Sequence, residues 1–166
     1  MYLQSFTEEG INNIVDKYST MVYKLAFART RSKENADDIF QEVFLRYIRK
    51  KPKFENENHE KAWFIRVTIN CSKTLFNFIT RENHEELTEN ISNSEEPEAI
   101  MEELLEKLSP DYRTVIHLFY YEGYSTLEIS KILSKKESTV RMQLTRARRN
   151  LKDIMEGVSS DVWNFI

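Results

Sequence analysis

Apolar residues in the first part of the chain recur at the three- and four-residue spacing of an α-helix. One stripe runs over residues 11–26, which predicts a helix with a single buried face. Ser32 can cap a second helix, whose apolar stripe reaches Tyr47 and which Pro52 would end. After a polar loop at residues 53–59, residues 60–81 are apolar on more than one side and predict a central helix with one polar edge.

The same periodicity resumes in the second half of the chain. Apolar residues at helical spacing begin after Pro97 and continue to Leu108. Ser109 followed by Pro110 is typical of a helix start, because the hydroxyl can cap free amides and proline fits the first turn. Gly123 can close the helix that follows.

Residues 125–152 predict two helices separated by a short turn. In the first helix, Ile129, Ile132 and Leu133 share one face, and this face, with Leu127 near its start, is expected to be buried. In the second helix, an apolar stripe is expected to pack while the neighbouring basic stripe projects. The apolar stripe consists of Val140, Leu144, Ala147 and Leu151, and the basic stripe of Arg141, Thr145, Arg148 and Lys152.

This two-helix stretch carries a local excess of positive charge. It holds eight Lys or Arg against two Glu, in a chain whose net charge is −3. A short helix, a tight turn and a second helix with long donor side chains form the helix-turn-helix geometry that enters a DNA major groove. An amphipathic hairpin whose charged side is only solvated would show the same periodicity, and the charge asymmetry favours DNA binding.

Composition divides the chain into segments. Three Gly and three Pro in 166 residues allow few sharp turns, which favours an all-α fold of long helices. Residues 82–106 contain ten Glu and no Lys or Arg, and the first part of this stretch has the composition of a linker. We therefore predict two small helical bundles, residues 1–81 and 98–156, joined by a flexible acidic linker at residues 82–97. Residues 157–166 form an apolar C-terminal tail whose partner the sequence does not identify.

The remaining features exclude several classes of protein. The lone Cys71 permits no internal disulfide, and no metal-ligand spacing or catalytic constellation is recognisable, so we expect neither a cofactor nor an enzyme. No apolar run approaches the roughly 20 residues that span a bilayer, and the N-terminus lacks the pattern of an export signal. These observations predict a cytoplasmic protein without membrane insertion or a small-molecule substrate.

Three motifs, in this order, resemble those of the extracytoplasmic-function (ECF) sigma factors, which are alternative specificity subunits of RNA polymerase. They are the acidic-amide motif at residues 36–44 (ADDIFQEVF), the tryptophan motif at residues 62–70 (AWFIRVTIN) and the helix-turn-helix after residues 108–110 (LSP). The last motif alone also resembles the output domain of many response regulators. The first two motifs distinguish a sigma factor from a response regulator. The resemblance extends over nearly the whole chain.

The resemblance implies a role for each bundle. In the family, the first bundle binds the clamp helices of the largest polymerase subunit and opens the minus-ten element, and the second reads the minus-thirty-five element. The matching positions for contact with core polymerase are Asp38, Gln41, Glu42, Leu45, Arg46 and Arg49. Those near the melted minus-ten strand are Phe54, Trp63, Arg66, Asn70 and Lys73. Those facing the minus-thirty-five element are Ser138, Thr139, Arg141, Met142, Thr145, Arg146 and Arg149.

Some of these positions have a plainer structural interpretation, and others depart from the family pattern. The polar side of the second helix can be merely solvated, and Trp63 can be a core residue. Thr74 and Asn77 stand where the family usually carries Asp and Arg, which makes the strand-binding edge less basic. Ser134 stands where Gly is common in the turn, and Ser138 can cap the recognition helix about two residues late.

The sequence therefore predicts a non-enzymatic sigma factor that binds core RNA polymerase and promoter DNA. By resemblance, an anti-sigma factor is the expected regulator. The alternative is a stand-alone helix-turn-helix regulator whose N-terminal bundle senses a ligand or dimerises and never contacts polymerase. The acidic linker either imitates nucleic acid in a polymerase channel or acts as an extended spacer.

Overall fold

A computed structural model describes residues 6–82 and 97–156 of the chain, with side chains over residues 6–79 and 102–156. These residues form helices and turns and contain no strand, which confirms the all-α fold class. The chain divides into two compact units, Met1–Asn83 and His84–Ile166. Most of the predicted acidic linker and the whole predicted tail lie outside the described residues, so the bounds of the linker and the tail stay predictions.

The first unit contains α1 (Glu8–Thr30), α2 (Lys33–Lys50) and α3 (Glu57–Glu82). As predicted, Ser32 caps α2, its hydroxyl oxygen accepting a hydrogen bond from the amide of Asn35 at 3.2 Å. The third helix begins inside the predicted polar loop, because the side-chain oxygen of Asn56 accepts the amide of His59 at 2.9 Å. The loop between α2 and α3 is therefore shorter than predicted.

Aromatic rings fill the centre of the first unit. Phe64 of α3 is fully buried, with its ring centroid 4.5 Å from that of Tyr18 in α1 and 5.5 Å from that of Tyr47 in α2. A charge is also enclosed here, because Arg29 of α1 is only 2% exposed and donates a hydrogen bond to the hydroxyl of Ser72 in α3. A buried guanidinium is tolerated only when its donors are satisfied, so this bond ties α1 to α3.

The second unit contains α4 (Pro97–Glu106), α5 (Pro110–Ile116), α6 (Thr126–Leu133) and α7 (Glu137–Glu156). As predicted, Ser109 caps α5, its hydroxyl oxygen accepting the amide of Tyr112 at 3.3 Å. A π-helical turn, His117–Tyr121, continues α5, and Gly123 closes it with a φ of +76°.

A buried arginine joins the first two helices of this unit. Arg113 of α5 donates hydrogen bonds to the main-chain carbonyls of Leu105 and Glu106 at 3.3 and 3.4 Å, and to that of Leu108. The last carbonyls of a helix have no partner within the helix, and here the guanidinium supplies one. Arg113 therefore acts as a side-chain cap for the C-terminus of α4.

Two apolar residues lie outside the core that the sequence predicts. Ile129 and Ile132 of α6 are buried, but Leu127 is 49% exposed, so the expectation that it shares their buried face is wrong. Two residues correspond to about 200° around a helix, which puts Leu127 on the side of α6 away from Ile129. Phe78, expected to pack within the central helix, is also exposed.

Candidate functional site

A capping box starts the helix-turn-helix. The Ser125 hydroxyl oxygen accepts a hydrogen bond from the amide of Glu128 at 3.1 Å, and the Glu128 carboxylate accepts one from the amide of Ser125 at 2.8 Å. The hydrogen bond from the Ser125 amide is the main reason that the pKa of the Glu128 carboxyl is lower than usual. The start of α6 is thereby fixed by reciprocal bonds.

A residue with left-handed backbone conformation makes the turn between α6 and α7. Ser134 has a φ of +53°, and the amide of Lys135 returns to the carbonyl of Ser130 at 2.9 Å. In the family that the sequence resembles, glycine is common at this position, and the positive φ explains that preference. For a residue with a Cβ, this left-handed conformation costs about 1–2 kcal/mol.

The recognition helix α7 begins at Glu137, so the interpretation of Ser138 as a late cap is wrong. The amide of Val140 donates to the carbonyl of Lys136 at 3.2 Å, which makes Lys136 the residue before the first helical turn. Glu137 is fixed by the hydroxyl of Thr126, which lies 3.0 Å from its carboxylate. This bond joins the starts of α6 and α7, and it leaves Ser138 exposed in the first turn.

One side of α7 collects the residues predicted to face the minus-thirty-five element. Val140, Leu144 and Ala147 are buried, and the opposite side is open. The exposed members of the predicted set are Ser138, Arg141, Met142, Thr145, Arg146 and Arg149, with Thr139 partly exposed beside them. Their spacings of three, four and seven residues put these side chains on one helical face. The structure therefore brings all seven positions to one surface.

Local bonds decide what Thr145 can offer on this surface. Its hydroxyl donates a hydrogen bond to the carbonyl of Arg141, one turn earlier, at 2.9 Å. The hydroxyl proton is thus used within the helix, and the oxygen lone pair and the methyl group remain for a ligand. Met142 adds an exposed apolar side chain to the same face.

The predicted polymerase-binding residues lie on the outer side of α2. Asp38, Gln41, Leu45 and Arg49 are exposed, and Glu42 and Arg46 are partly exposed. Leu45 is 47% exposed, and the neighbouring Ile48 is exposed as well, so an apolar patch interrupts the polar side chains. This mixture differs from the uniformly charged surface expected of a merely solvated helix side.

An ion-pair ladder organises the charged part of that surface. The Glu42 carboxylate lies 3.0 Å from Nε of Arg46 and 3.4 Å from Nη2 of Arg49. Pairs one or two turns apart on an exposed helix contribute only a few tenths of a kcal/mol. Their effect here is mainly geometric, because Glu42 holds both guanidinium groups along the outer side of α2.

The aromatic members of the predicted minus-ten set pack against each other. Trp63 lies edge-on to Phe64 with ring centroids 5.0 Å apart, and edge-on to Phe54 at 5.9 Å. Trp63 and Phe54 are both partly exposed. Trp63 is therefore a core residue on one side and an accessible ring on the other.

The polar members of that set follow Trp63 along α3. Arg66 is partly exposed, and Asn70 and Lys73 are exposed. Steps of three and four residues place them on the same side of the helix. Thr74 and Asn77, which replace the Asp and Arg of the family pattern, are exposed nearby and carry no charge. This edge therefore has fewer cations than the family pattern has.

A polar cluster between α1 and α3 was not predicted from the sequence. The Tyr18 hydroxyl donates a hydrogen bond to the carboxylate of Glu60 at 2.7 Å, and Nζ of Lys17 lies 2.6 Å from the carboxylate of Glu57. The bond to Glu57 is the main cause of the raised pKa of Lys17, and it lowers the pKa of the Glu57 carboxyl. Because the partners are distant in sequence, only the opposite charges could have signalled the contact.

The described residues contain neither a cluster of metal ligands nor a membrane-spanning helix. Within the described residues, no group of three or more His, Cys, Asp and Glu side chains could hold a metal ion. The helices described there are all too short or too polar to cross a membrane. Cys71 is buried, and burial raises the pKa of its thiol, as expected for a structural cysteine.

Two protein-family models match separate parts of the chain. Sigma-70 region 2 matches residues 14–81, and sigma-70 region 4 matches residues 98–151. The first match covers α2 and nearly all of α3, and the second covers the helix-turn-helix. The two matches therefore contain all three motifs of the sequence analysis.

Curated relatives are similar to nearly the whole chain. The ECF RNA polymerase sigma factor SigE of Mycolicibacterium smegmatis is 28% identical over 163 residues, which cover 90% of this chain and 63% of SigE. BldN of Streptomyces coelicolor is 22% identical, with 92% of this chain and 62% of BldN covered. The chain thus spans less than two thirds of these two relatives. SigX of Bacillus subtilis is 25% identical, with 90% of this chain and 85% of SigX covered.

Solved structures share the fold. CnrH, in complex with the cytosolic domain of CnrY, has a TM-score of 0.70 at 20% identity, with 95% of this chain and 96% of CnrH covered. The sigma factor RpoE from Bartonella quintana, in complex with the anti-sigma factor NepR, has a TM-score of 0.69 at 18% identity, with 89% and 98% covered. These solved structures show the fold, and the matches to sigma-70 regions 2 and 4 together with the curated relatives show that the chain belongs to the ECF sigma factors.

Proposed function

We propose that this chain binds core RNA polymerase and directs it to promoters through the minus-ten and minus-thirty-five elements. The observation that carries the proposal is the presence, in one chain, of the mixed outer surface of α2 and the basic exposed face of α7. A stand-alone DNA-binding regulator needs only the second surface, whereas a specificity subunit needs both. We propose that it acts in the cytoplasm, without catalytic activity of its own, a cofactor or a small-molecule substrate.

The outer side of α2 is the proposed anchor on core polymerase. Leu45 and Ile48 are exposed apolar residues, and Asp38, Glu42 and Arg46 surround them with charge. Protein interfaces commonly bury an apolar centre inside a polar rim, and residues in the centre contribute most of the affinity. The anchor would therefore bind through Leu45 and take its orientation from the charged residues.

The exposed side of α3 is the proposed contact with the melted minus-ten strand. An unstacked base would stack on the accessible side of Trp63 or Phe54, and the exposed Asn70 and Lys73 would contact the sugar-phosphate backbone. Because Thr74 and Asn77 add no charge, stacking would carry more of the binding here than in relatives with a more basic edge.

The exposed face of α7 is the proposed reader of the minus-thirty-five element. Arg141, Arg146 and Arg149 carry long donors that can bridge guanine edges or hold phosphates, and Thr145 and Met142 offer groups that suit a thymine methyl. The capping box and the bond between Thr126 and Glu137 fix the starts of α6 and α7, which supports a rigid motif for groove binding.

An anti-sigma factor is the proposed regulator. The solved structure of Bartonella quintana RpoE is a complex with the anti-sigma factor NepR, and this chain shares its fold. A protein that covered the apolar patch around Leu45 would compete directly with core polymerase for α2.

Reconstitution tests the proposed function. The purified chain is mixed with core polymerase, the complex is isolated by gel filtration, and transcription is measured on a library of genomic fragments. We expect a stable complex that starts RNA at a restricted set of promoters, which core alone does not use. If the chain binds specific duplexes without polymerase and never enters the complex, the stand-alone regulator is the correct function.

A further inference from the structure

Two aromatic residues hold Arg148 of the recognition helix. Its Nε donates a hydrogen bond to the hydroxyl of Tyr120 at 2.6 Å. Its guanidinium carbon lies 5.4 Å from the ring centroid of Tyr120 and 5.5 Å from that of Phe119. The sequence pattern placed Arg148 on a freely projecting basic stripe, so this contact was not predicted.

The contact leaves one edge of the guanidinium open. Tyr120 occupies Nε, and neither terminal nitrogen makes a hydrogen bond to any residue that the structure describes. Arginine presents five donors in a rigid planar fork, and its two terminal nitrogens match the spacing of two phosphate or carboxylate oxygens. Arg148 is thus a cation that is oriented from one side and still able to bind an anion from the other.

The position of Arg148 fits the rim of a DNA groove. It follows Arg141 by two helical turns on the same stripe, which is about 10 Å along the axis. The adjacent Leu144 and Ala147 are buried, so this stripe borders the packed side of α7 rather than the centre of its exposed face. When the centre of a recognition helix lies in the major groove, residues on its flank meet the phosphates that line the groove.

The exposure of the contact argues against a role in folding. Tyr120 is 60% exposed and Arg148 is exposed as well, so the hydrogen bond competes with water and stabilises the fold little. An arginine that is already ordered loses less conformational entropy when it binds a phosphate than a freely rotating one. The arrangement therefore favours ligand binding more than it favours stability.

We propose that Phe119, Tyr120 and Arg148 form a phosphate clamp, in which the open edge of Arg148 binds a backbone phosphate of promoter DNA beside the minus-thirty-five element. The inference rests on the proposed function, because it requires α7 to enter DNA. Arg148 is the group that touches the ligand, and Phe119 and Tyr120 are positioning residues. A phosphate carries no base identity, so the clamp sets the depth and register of α7 without choosing sequence.

The salt dependence of DNA binding tests the clamp. The holoenzyme is titrated with a duplex that carries a promoter it transcribes, over a series of salt concentrations. We expect Arg148→Met to lower affinity for every promoter and to make the slope of log K against log salt shallower by about 0.9, the value for one phosphate contact. The order of preference among promoters should not change.

Tyr120→Phe separates positioning from charge. This variant keeps the ring and the cation and removes the hydroxyl, so we expect the wild-type salt slope with affinity about twofold to tenfold weaker. In the Arg148→Met background the same change should have no further effect, because the two residues act through one contact. Tyr121→Phe, which removes a hydroxyl from the adjacent exposed tyrosine, is the matched control and should bind as the wild type does.

The outcomes distinguish the clamp from the function on which it rests. If the wild-type holoenzyme binds promoter DNA and Arg148→Met retains the full salt slope, the clamp is rejected and the proposed function stands. If both variants lower the melting temperature without changing the slope, the contact is structural and the clamp is again rejected. If the wild-type chain forms no holoenzyme that binds promoters, the proposed function fails and the clamp with it.

Discussion

Thr126, the first residue of α6, donates a hydrogen bond from its hydroxyl to the carboxylate of Glu137, the first residue of α7, at 3.0 Å. The bond spans the turn and joins the N-termini of the two helices. Both side chains are partly buried, so water competes with the bond less than at an open surface. It restrains the angle at which the recognition helix leaves the turn.

Thr126→Val should therefore weaken the second unit. The change keeps the shape of the side chain and leaves the Glu137 carboxylate without this donor, which we expect to cost about 1 kcal/mol of unfolding free energy. Thermal unfolding of the full chain measures the loss, and affinity of the holoenzyme for promoter DNA should fall with it. Thr20→Val, on an exposed position of α1, is the control, and equal melting temperatures for the two variants would contradict the prediction.

A double charge reversal on α2 should prevent association with core polymerase. Asp38→Lys with Arg46→Glu inverts the charges around the patch at Leu45 while the buried side of α2 is unchanged. We expect no complex in gel filtration and the helical circular dichroism of the wild type. Asp16→Lys with Lys33→Glu makes the same kind of change at exposed positions away from the patch and should leave the complex intact. Retained association of the first variant would reject the anchor.

The arginines of α7 should divide into base readers and phosphate holders. Replacing a reader among Arg141, Arg146 and Arg149 by Ala should relax preference at one promoter position, because a good base contact is worth about 1–3 kcal/mol of discrimination. Replacing a holder should weaken all promoters alike and flatten the salt slope. Binding to a library of promoter variants at several salt concentrations separates the two classes. Identical behaviour of all three variants would argue against docking in the groove.

Arg113→Met should destabilise the second unit through the end of α4. The change preserves much of the apolar stem and removes the donors for the carbonyls of Leu105 and Glu106. It also removes the donor for the Leu108 carbonyl, whose bond with Arg113 is buried, and a buried acceptor without a partner costs about 1–3 kcal/mol, so a clear drop in the melting temperature is expected. Lys107→Met removes a nearby exposed cation and serves as the control. A drop of the same size in both variants would show that charge alone was responsible.

The capping box should make the second unit sensitive to acid. The amide of Ser125 stabilises the Glu128 carboxylate and lowers its pKa below the ordinary value of 4.5. Because the folded pKa is the lower one, the contribution of Glu128 to stability is present above pH 4.5 and is lost as the pH falls through the folded pKa. Carboxyl carbon chemical shifts should give a titration midpoint for Glu128 below that of an unfolded peptide.

A matched variant isolates that effect from general acid unfolding. Glu128→Gln keeps an acceptor for the Ser125 amide and has no carboxyl to protonate. The difference in unfolding free energy between the wild type and this variant should shrink as the pH is lowered through the folded pKa. A difference that is independent of pH would mean that Glu128 is not bonded as described.

The sequence by itself determined the helices, two of their N-caps and the family. Each of these features is local: Ser32 and Ser109 act on amides three residues away, and the buried stripe of α7 is a periodicity within one helix. The same is true of the candidate surfaces on α2 and α7, because residues at helical spacing share a face whatever the rest of the chain does. The side chains that face solvent on these helices could therefore be identified from the sequence.

Only the tertiary structure decided which polar side chains meet. Arg29 with Ser72, Tyr18 with Glu60 and Arg148 with Tyr120 are each separated by many residues, and no periodicity pairs them. The start of α7 was predicted wrongly for the same reason, since a bond from the other helix of the motif fixes Glu137. Helical periodicity tells which face of a helix is buried, whereas the partner of a polar group depends on where packing brings a distant segment of the chain.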